Sequence, residues 1–328
     1  MGWVSDFALA GAEKAYGAGV QAIQWGFRSG ILKRHRLPAK VVSVGNLTWG
    51  GTGKTPLVIY LAQQLQARGH RVAVLTRGYG QDESKLMSER LAPIPVLVGP
   101  DRVATGEQAV RDHGADLLLL DDGYQQWRLE KDLEILTADS KTPFGNGRLI
   151  PRGTLREPPA AAARAQVIVL KGKNSEEARF QVKRYNPGAP VFFMNYEPRR
   201  LWRWPDRQEV PLKNLRGRKL CTLAGIADPK QFEATVLGLG ADPRLRYRVG
   251  DHHPYTTGEL VRLLSRCHRH GIRTVVTTEK DAVRIPKVFQ EAIGPDLRDT
   301  ELWVLEIQPR FEPNESELLH RIDSVLAG

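Results

Sequence analysis

Six consecutive residues, Gly50-Gly51-Thr52-Gly53-Lys54-Thr55, have the types and order needed to hold a chain of phosphates. Glycines let backbone N–H groups turn inward onto phosphate oxygens, and the start of a following helix adds partial positive charge. In such a loop Lys54 reaches the β- and γ-phosphates, and Thr55 offers its hydroxyl to Mg²⁺. The strict spacing wants a glycine five residues before Gly53, where this chain has Thr48. The competing reading is a glycine-rich turn with an incidental lysine.

Three further groups have chemistry in reach. The apolar run 117–120 ends in Asp121-Asp122-Gly123. A carboxylate at the C-terminal end of a buried strand lies on the edge where open α/β sheets bind ligands, and such aspartates hold Mg²⁺. Asp121 is the first metal ligand on this reading and Asp122 the second; the alternative is an ordinary Asp-Gly turn. The loop Arg77-Gly78-Tyr79-Gly80, with Gln81-Asp82-Glu83 after it, faces the same edge. Arg77 is a candidate phosphate contact and Asp82 a candidate general base for an acceptor hydroxyl, unless Asp82 only caps the next helix. Asp251-His252-His253-Pro254-Tyr255 offers a histidine beside carboxylates that orients or charges a base. The stretch Thr277-Thr278-Glu279-Lys280-Asp281 ends a strand and has no role of its own on sequence grounds. Cys267-His268-Arg269-His270 reads as cations suiting a helix C-terminus rather than as a zinc site.

The elements that must position these groups follow from hydrophobic spacing. Residues 41–45 form a short apolar run before the glycine-rich loop, and 54–68 read as a helix after it. Strands at 71–76, 94–98, 117–120, 133–138 and 167–170 alternate with helices at 82–91 and 101–112. That alternation predicts a P-loop NTPase-type α/β fold with a doubly wound parallel sheet. The stretch 146–165 carries Pro151, Pro158, Pro159 and an alanine run, and the domain boundary is placed there. Beyond it the pattern resumes with strands at 219–224, 273–277 and 302–307 and helices at 230–238, 257–270 and 315–326. The division is therefore 1–36 as a helix with a basic cluster, 37–150 as the phosphate-loop core, and 151–328 as a second, smaller α/β domain.

Residues 3–32 read as a helix with Tyr16, Val20, Ile23, Phe27 and Ile31 on one face, extended by Trp3 and Phe7; Trp25 lies off that stripe. Lys33, Arg34, His35 and Arg36 follow at once. Two readings are open: a helix packed on the protein's own core, or an interfacial helix with its basic residues on anionic headgroups. A secretory signal is excluded by Asp6 and Glu13, and Asp6 also breaks a myristoylation motif. No apolar run approaches the ~20 residues that span a bilayer. The net charge of +11 favours an anionic partner. The chain lacks the interleaved aromatics and basics of single-strand binders and any zinc-finger spacing, so no nucleic acid is expected. Two cysteines are too few for a disulfide framework and suit a reducing compartment.

Taken in order, the landmarks resemble the tetraacyldisaccharide 4'-kinase family over nearly the whole chain. They are an N-terminal helix with basic residues, Val44-Gly45-Asn46-Leu47-Thr48 running into Gly50 through Pro56, Arg77-Gly78-Tyr79-Gly80, Asp82-Glu83, and Asp121-Asp122-Gly123-Tyr124-Gln125. Phe144-Gly145-Asn146-Gly147, the stretch 151–157, Ala224-Gly225-Ile226, Asp251-His252 and Thr278-Glu279-Lys280-Asp281 complete the set. The resemblance makes Thr48 part of the family's own loop. It implies ATP and Mg²⁺ as cofactors, an acylated disaccharide 1-phosphate as acceptor, and peripheral attachment to the anionic cytoplasmic face of the inner membrane. It also implies catalytic roles for Asp82, His252 and Lys54. Many members carry a longer insert before a Gly-Asp-Glu-Pro form, where this chain has the short Gly80-Gln81-Asp82-Glu83-Ser84. Many also have His where this chain has Gln126. A nucleotide-dependent regulator of the same lineage is the main alternative, and the chain has no Asn-Lys-x-Asp signature for guanine. A membrane scaffold that only holds nucleotide is the other. Oligomeric state is not predicted.

Overall fold

Uninterrupted apolar runs become buried parallel strands here, because only a strand covered on both faces can bury every side chain. A computed structural model describes residues 2–78, 81–292, 294, 297 and 299–327. Tyr79 and Gly80 of the expected phosphate-facing loop, and the side chains of Trp3 and Phe7, lie outside the described residues. The chain divides into two compact units. Unit 1 is Met1–Tyr79, Met87–Asn195 and Pro309–Gly328; unit 2 is Gly80–Leu86 and Tyr196–Gln308.

Unit 1 contains Gly2–Arg28 (α1), Lys40–Gly45 (β1), Lys54–Ala67 (α2), Val72–Thr76 (β2), and all but the first turns of Gln81–Leu91 (α3). Val96–Val98 (β3), Arg102–His113 (α4), Leu117–Asp121 (β4), Leu133–Asp139 (β5), Val167–Lys171 (β6) and Glu176–Lys183 (α5) follow, with the start of Val191–Arg203 (β7). The strand order is β7-β6-β5-β1-β4-β2-β3, all parallel. Val41, Ala73, Leu75, Leu118 and Leu120 face Val103 and Ala109 of α4 in one core cluster. α2 buries Leu57, Val58, Leu61 and Leu65 against β1, β2 and β4. Helices therefore cover both faces, as the alternation in the sequence required.

The sheet packs closely where β1 delivers the glycine-rich loop. A Cβ added at Gly45 would lie 2.6 Å from both the backbone N and the Cβ of Tyr124. Tyr124 is fully buried and its hydroxyl donates to the Ala161 carbonyl at 2.8 Å, so it cannot give way. Gly45→Ala is expected to destabilise the protein by about 1–3 kcal/mol through overpacking. A thermal melt of that variant that matches the native protein would contradict this packing.

Unit 2 contains the rest of β7 and then Glu209–Val210 (β8), Lys219–Ala224 (β9), Pro229–Gly238 (α6), Asp242–Arg248 (β10) and Thr257–Arg269 (α7). Thr274–Thr278 (β11), Glu279–Ala282 (α8), Phe289–Ala292 (α9) and most of Glu301–Glu312 (β12) complete it; Glu315–Ala327 (α10) belongs to unit 1. The order is β10-β9-β11-β12-β7, with β8 antiparallel to β7. Cys221, Leu223 and Val275 pack on Leu260, Leu263, Leu264 and Cys267 of α7. Leu220, Ala224 and Val276 pack on Phe232 and Val236 of α6 on the other face. Both cysteines are free and buried.

The compact units do not divide at 150, where the proline-rich stretch suggested. β6 pairs with β5, and Phe144, Leu155, Ala162, Ile168 and Phe193 share one core cluster. The stretch is a returning loop rather than a linker. Trp49 N donates to the Thr154 carbonyl at 2.7 Å and Arg156 N to the Leu47 carbonyl at 2.7 Å, which lays 154–156 along the glycine-rich loop.

α1 is anchored in part by polar residues outside the expected stripe. Glu13 accepts from Leu149 N at 3.0 Å, the Tyr16 hydroxyl donates to the Arg156 carbonyl at 3.0 Å, and Gln24 Nε2 donates to Glu157 Oε2 at 2.6 Å. The face containing Tyr16 thus rests on the returning loop. Leu9, Ile23 and Trp25 remain exposed on the helix, with Ile31 and Leu32 just after it.

Candidate active site

Functional side chains gather in two clusters, one within each unit. In unit 1 the loop after β1 needs left-handed backbone at two points, met by Gly50 (φ 121°) and Gly53 (φ 84°). Gly53 is the residue before α2, and no side chain caps the helix there. The first N–H groups of α2 are therefore left for an anion. A buried hydroxyl ladder fixes the loop. Asn46 Nδ2 donates to Thr52 Oγ1 at 3.0 Å, Thr52 Oγ1 and Thr137 Oγ1 lie 2.8 Å apart, and Thr137 Oγ1 donates to the Gly45 carbonyl at 3.2 Å. Lys171 Nζ holds the Gly51 carbonyl at 3.1 Å. Thr52 therefore shapes the loop through its side chain. Thr48 is buried and bridged to Leu155, so it anchors the loop to the returning segment.

Lys54 and Thr55 open α2. Lys54 Nζ lies 3.5 Å from Asp122 Oδ1. Asp122 sits just past β4 with φ 55°, and Arg156 grips it with Nη1 on Oδ2 at 2.9 Å and Nη2 on Oδ1 at 2.8 Å. The same Arg156 Nη2 donates to Asn46, through its side-chain oxygen and at 3.2 Å to its carbonyl. Burial pushes the Asp122 carboxyl up, but the Arg156 hydrogen bond and the charges of Lys54 and Arg156 together hold it below the ordinary carboxylate range. A carboxyl lowered in the fold contributes stability above its unfolded value, and that stability is lost as pH falls through the lowered value.

Asp121 ends β4, is buried, and accepts from Thr76 Oγ1 at 3.3 Å. Asp122 is gripped by Arg156 and lies near Lys54. The Asp121 carboxylate and the Thr55 hydroxyl are hard oxygen donors that suit Mg²⁺. Arg77 follows β2 and is exposed.

Arg102 is a residue the sequence did not single out. It is only 2% exposed at the start of α4, and its Nη1 donates to the Gly99 carbonyl. Its Nε and Nη2 have no hydrogen-bond partner among the described residues. Burial lowers its pKa, while the charges of Asp121 and Asp122 raise it and that of Arg77 lowers it. Leaving those buried donors unmade costs roughly 1–3 kcal/mol. Arg156, Asn46, Thr137 and Lys171 were likewise missed as loop-holding groups. The only signal for Arg156 was its place in a landmark stretch.

In unit 2, Asp82 lies in the first turn of α3 and is 8% exposed. It does not cap the helix from outside; its Oδ1 accepts from Glu83 N at 3.1 Å. His252 stands in left-handed backbone at φ 61° and brings Nδ1 to 3.1 Å from Asp82 Oδ1 and 3.0 Å from Oδ2. Arg284 Nε lies 3.6 Å from Asp82 Oδ2. The stretch 278–284 supports this pair. Asp281 accepts from Gly225 N at 2.9 Å, the Tyr255 hydroxyl at 2.7 Å and Arg284 Nη2 at 2.6 Å. Burial pushes the Asp281 carboxyl up against the pull of Thr278, Tyr255 and Arg284. His253 points elsewhere, with Nε2 at 2.9 Å from Glu259 Oε2. His268 and His270 end α7, and no group of three or more metal-ligating residues occurs among the described residues.

The chain is similar to known proteins. A family described as tetraacyldisaccharide-1-P 4'-kinase matches residues 5–327. A tetraacyldisaccharide 4'-kinase of Anaeromyxobacter dehalogenans is 39% identical over 296 residues, covering 82% of this chain and 78% of that protein. One from Syntrophus aciditrophicus is 37% identical over 321 residues, covering 87% and 84%. The crystal structure of LpxK from Aquifex aeolicus in complex with ATP is similar with a TM-score of 0.74 at 28% identity, covering 97% of this chain and 98% of that one.

Proposed function

The chain belongs to the tetraacyldisaccharide-1-phosphate 4'-kinase family, and on that premise we propose that it transfers the γ-phosphate of ATP to the 4'-hydroxyl of a tetraacylated disaccharide 1-phosphate, a lipid A precursor. The observation that supports it best is the Asp82–His252 pair: residues 170 apart in sequence meet at 3.0 Å, in a chain that also carries a phosphate loop. A regulator or scaffold has no use for a base of that kind.

The residues divide the work. Asp82 takes the proton of the 4'-hydroxyl as its oxygen attacks the γ-phosphorus. The bond from phosphorus to the β–γ bridging oxygen breaks, and its electron pair leaves on ADP. His252 orients the Asp82 carboxylate. Lys54, Arg102, Arg77 and the open N–H groups at the start of α2 offset the charge on the phosphates. Asp121 and Thr55 would hold Mg²⁺, which would supply positive charge to the phosphates. The test is ADP release with and without the acceptor. Turnover that rises steeply with the lipid supports transfer; slow turnover indifferent to the lipid would reveal a switch protein, and bound ATP without turnover a scaffold.

The acceptor is acylated, so the enzyme must work at a lipid surface, on the cytoplasmic side of the inner membrane where ATP is available. No helix of the described residues is long and apolar enough to cross a membrane. Ile23, Trp25, Ile31 and Leu32 are exposed beside Lys33 and Arg34. Apolar and basic residues in that mixture suit the headgroup region of an anionic leaflet. Arg36 is the less available of the three cations, being 3.3 Å from Glu130 and 3.4 Å from Asp132. Changing Lys33, Arg34 and Arg36 together to Ser is expected to weaken co-sedimentation with anionic vesicles by roughly 1 kcal/mol per available cation and to flatten its salt dependence. Unchanged binding at low salt would leave α1 as a helix that serves only its own body.

A further inference from the structure

The Glu279-Lys280-Asp281 stretch has no part in the scheme above, yet Lys280 touches His252, the residue that orients the base. Lys280 Nζ lies 3.4 Å from His252 Nε2, 3.1 Å from Glu83 Oε1 and 3.2 Å from Asp251 Oδ1. It is thus held on two sides by carboxylates and aimed on the third at the imidazole. An ammonium group has only donors. When it bonds to Nε2, that nitrogen must carry a lone pair, and the ring proton must sit on Nδ1. Nδ1 is the atom facing both oxygens of Asp82.

We propose that Lys280 is a positioning residue that sets the tautomer of His252, so that the imidazole donates from Nδ1 to Asp82 and leaves the carboxylate ionised and oriented as the base. The inference rests on the reading of Asp82 as the base. The opposite tautomer would place the Nδ1 lone pair against carboxylate lone pairs, and the pair would separate. An imidazolium would satisfy Asp82 but would set a second cation against Lys280.

The charged groups around His252 favour this assignment except Asp251, whose pull Lys280 offsets. From α3 come Asp82 and Glu83; Glu83 is neutralised by Lys280. From its own loop comes Asp251, whose Oδ2 lies 3.7 Å from Nε2 and favours a proton there. Lys280 opposes that pull by taking Asp251 Oδ1 itself. Beyond α8, Arg284 faces Asp82 rather than the ring. Asp281 turns the other way, onto Gly225, Tyr255 and Thr278, and fixes the short helix that presents Lys280.

The decisive experiment compares Lys280→Met, Lys280→Arg and Asp82→Ala in the full chain. It reads steady-state kinetics for ATP, the pH profile, and the ¹⁵N signals of His252. With Lys280→Met, kcat is expected to fall about tenfold, the scale of losing one charge-assisted contact, while KM for ATP stays put. The proton of His252 moves from Nδ1 towards Nε2, where Asp251 now accepts it. Lys280→Arg restores both readouts in part. If Lys280→Met folds and keeps the native ¹⁵N pattern, the tautomer assignment is overturned, whatever the rate does. If instead the pattern moves but Asp82→Ala has native kcat, the proposal for Lys280 stands and it is Asp82 that is not the base.

Discussion

Replacing Lys54 by alanine lowers phosphoryl transfer by roughly 10²–10³-fold, the usual cost of removing one pre-organised electrostatic contact. The fold survives, because nothing that shapes the loop depends on the ammonium group. The hydroxyl ladder of Asn46, Thr52 and Thr137 holds one side, and Lys171 holds the Gly51 carbonyl. Asp122, the lysine's partner at 3.5 Å, keeps both of its bonds to Arg156. Single-turnover transfer beside a thermal melt separates the two effects. A folded variant with native rate would remove the phosphate-loop assignment.

Asp82→Ala is expected to lower transfer by roughly 10²–10⁴-fold, the range spanned by general bases, with little change in ATP affinity. A base acts on the acceptor, and Asp82 makes its contacts to Glu83 N, His252 and Arg284. Asp121→Ala should do the reverse and weaken Mg²⁺-dependent use of ATP, because its carboxylate lies at the end of β4 beside Thr76. ATP binding measured with and without Mg²⁺ for both variants decides the matter. If Asp82→Ala mainly lost Mg²⁺·ATP, the two roles would have to be exchanged.

Most of the layout was legible because buried parallel strands announce themselves. β1, β2, β4, β5 and β6 are runs of Val, Leu and Ile with turn residues at each end, and each lies within two residues of its expected bounds. β7 and β10 were not legible. β7 reads through Glu197, Pro198, Arg199 and Arg200, and β10 alternates Arg244, Arg246 and Arg248 with half-buried residues. In β7 the apolar start at 191–194 is interrupted by this polar middle, and in β10 the apolar content is too low to signal a strand; ion pairs support both polar stretches, Glu306 with Arg199 and Arg200, Glu233 with Arg246 and Arg248.

The same contrast runs through the functional residues. The positions of Gly53, Lys54 and Asp121 were readable since each sits at a fixed place relative to its own strand. Arg156 was not, because the prolines around it read as a linker, whereas the segment returns through Thr154 and Arg156 to line the loop. Lys280 was noted but left without a role, since its partners Glu83 and Asp251 are remote in sequence and only folding brings them together. The polar anchoring of α1 was not legible for a related reason. Hydrophobic spacing identified the helix, but Glu13, Tyr16 and Gln24 anchor it through polar bonds, which spacing of apolar residues does not report.

The most direct test of the whole account is to follow labelled γ-phosphate. The purified full chain is incubated with [γ-³²P]ATP, Mg²⁺ and tetraacyldisaccharide 1-phosphate in mixed micelles, and the lipid is recovered and the labelled position mapped. The account predicts label on the lipid at the 4'-oxygen, formed in step with ADP and absent with Lys54→Ala. Label released as inorganic phosphate at a rate indifferent to the lipid, with the lipid itself unlabelled, would contradict it.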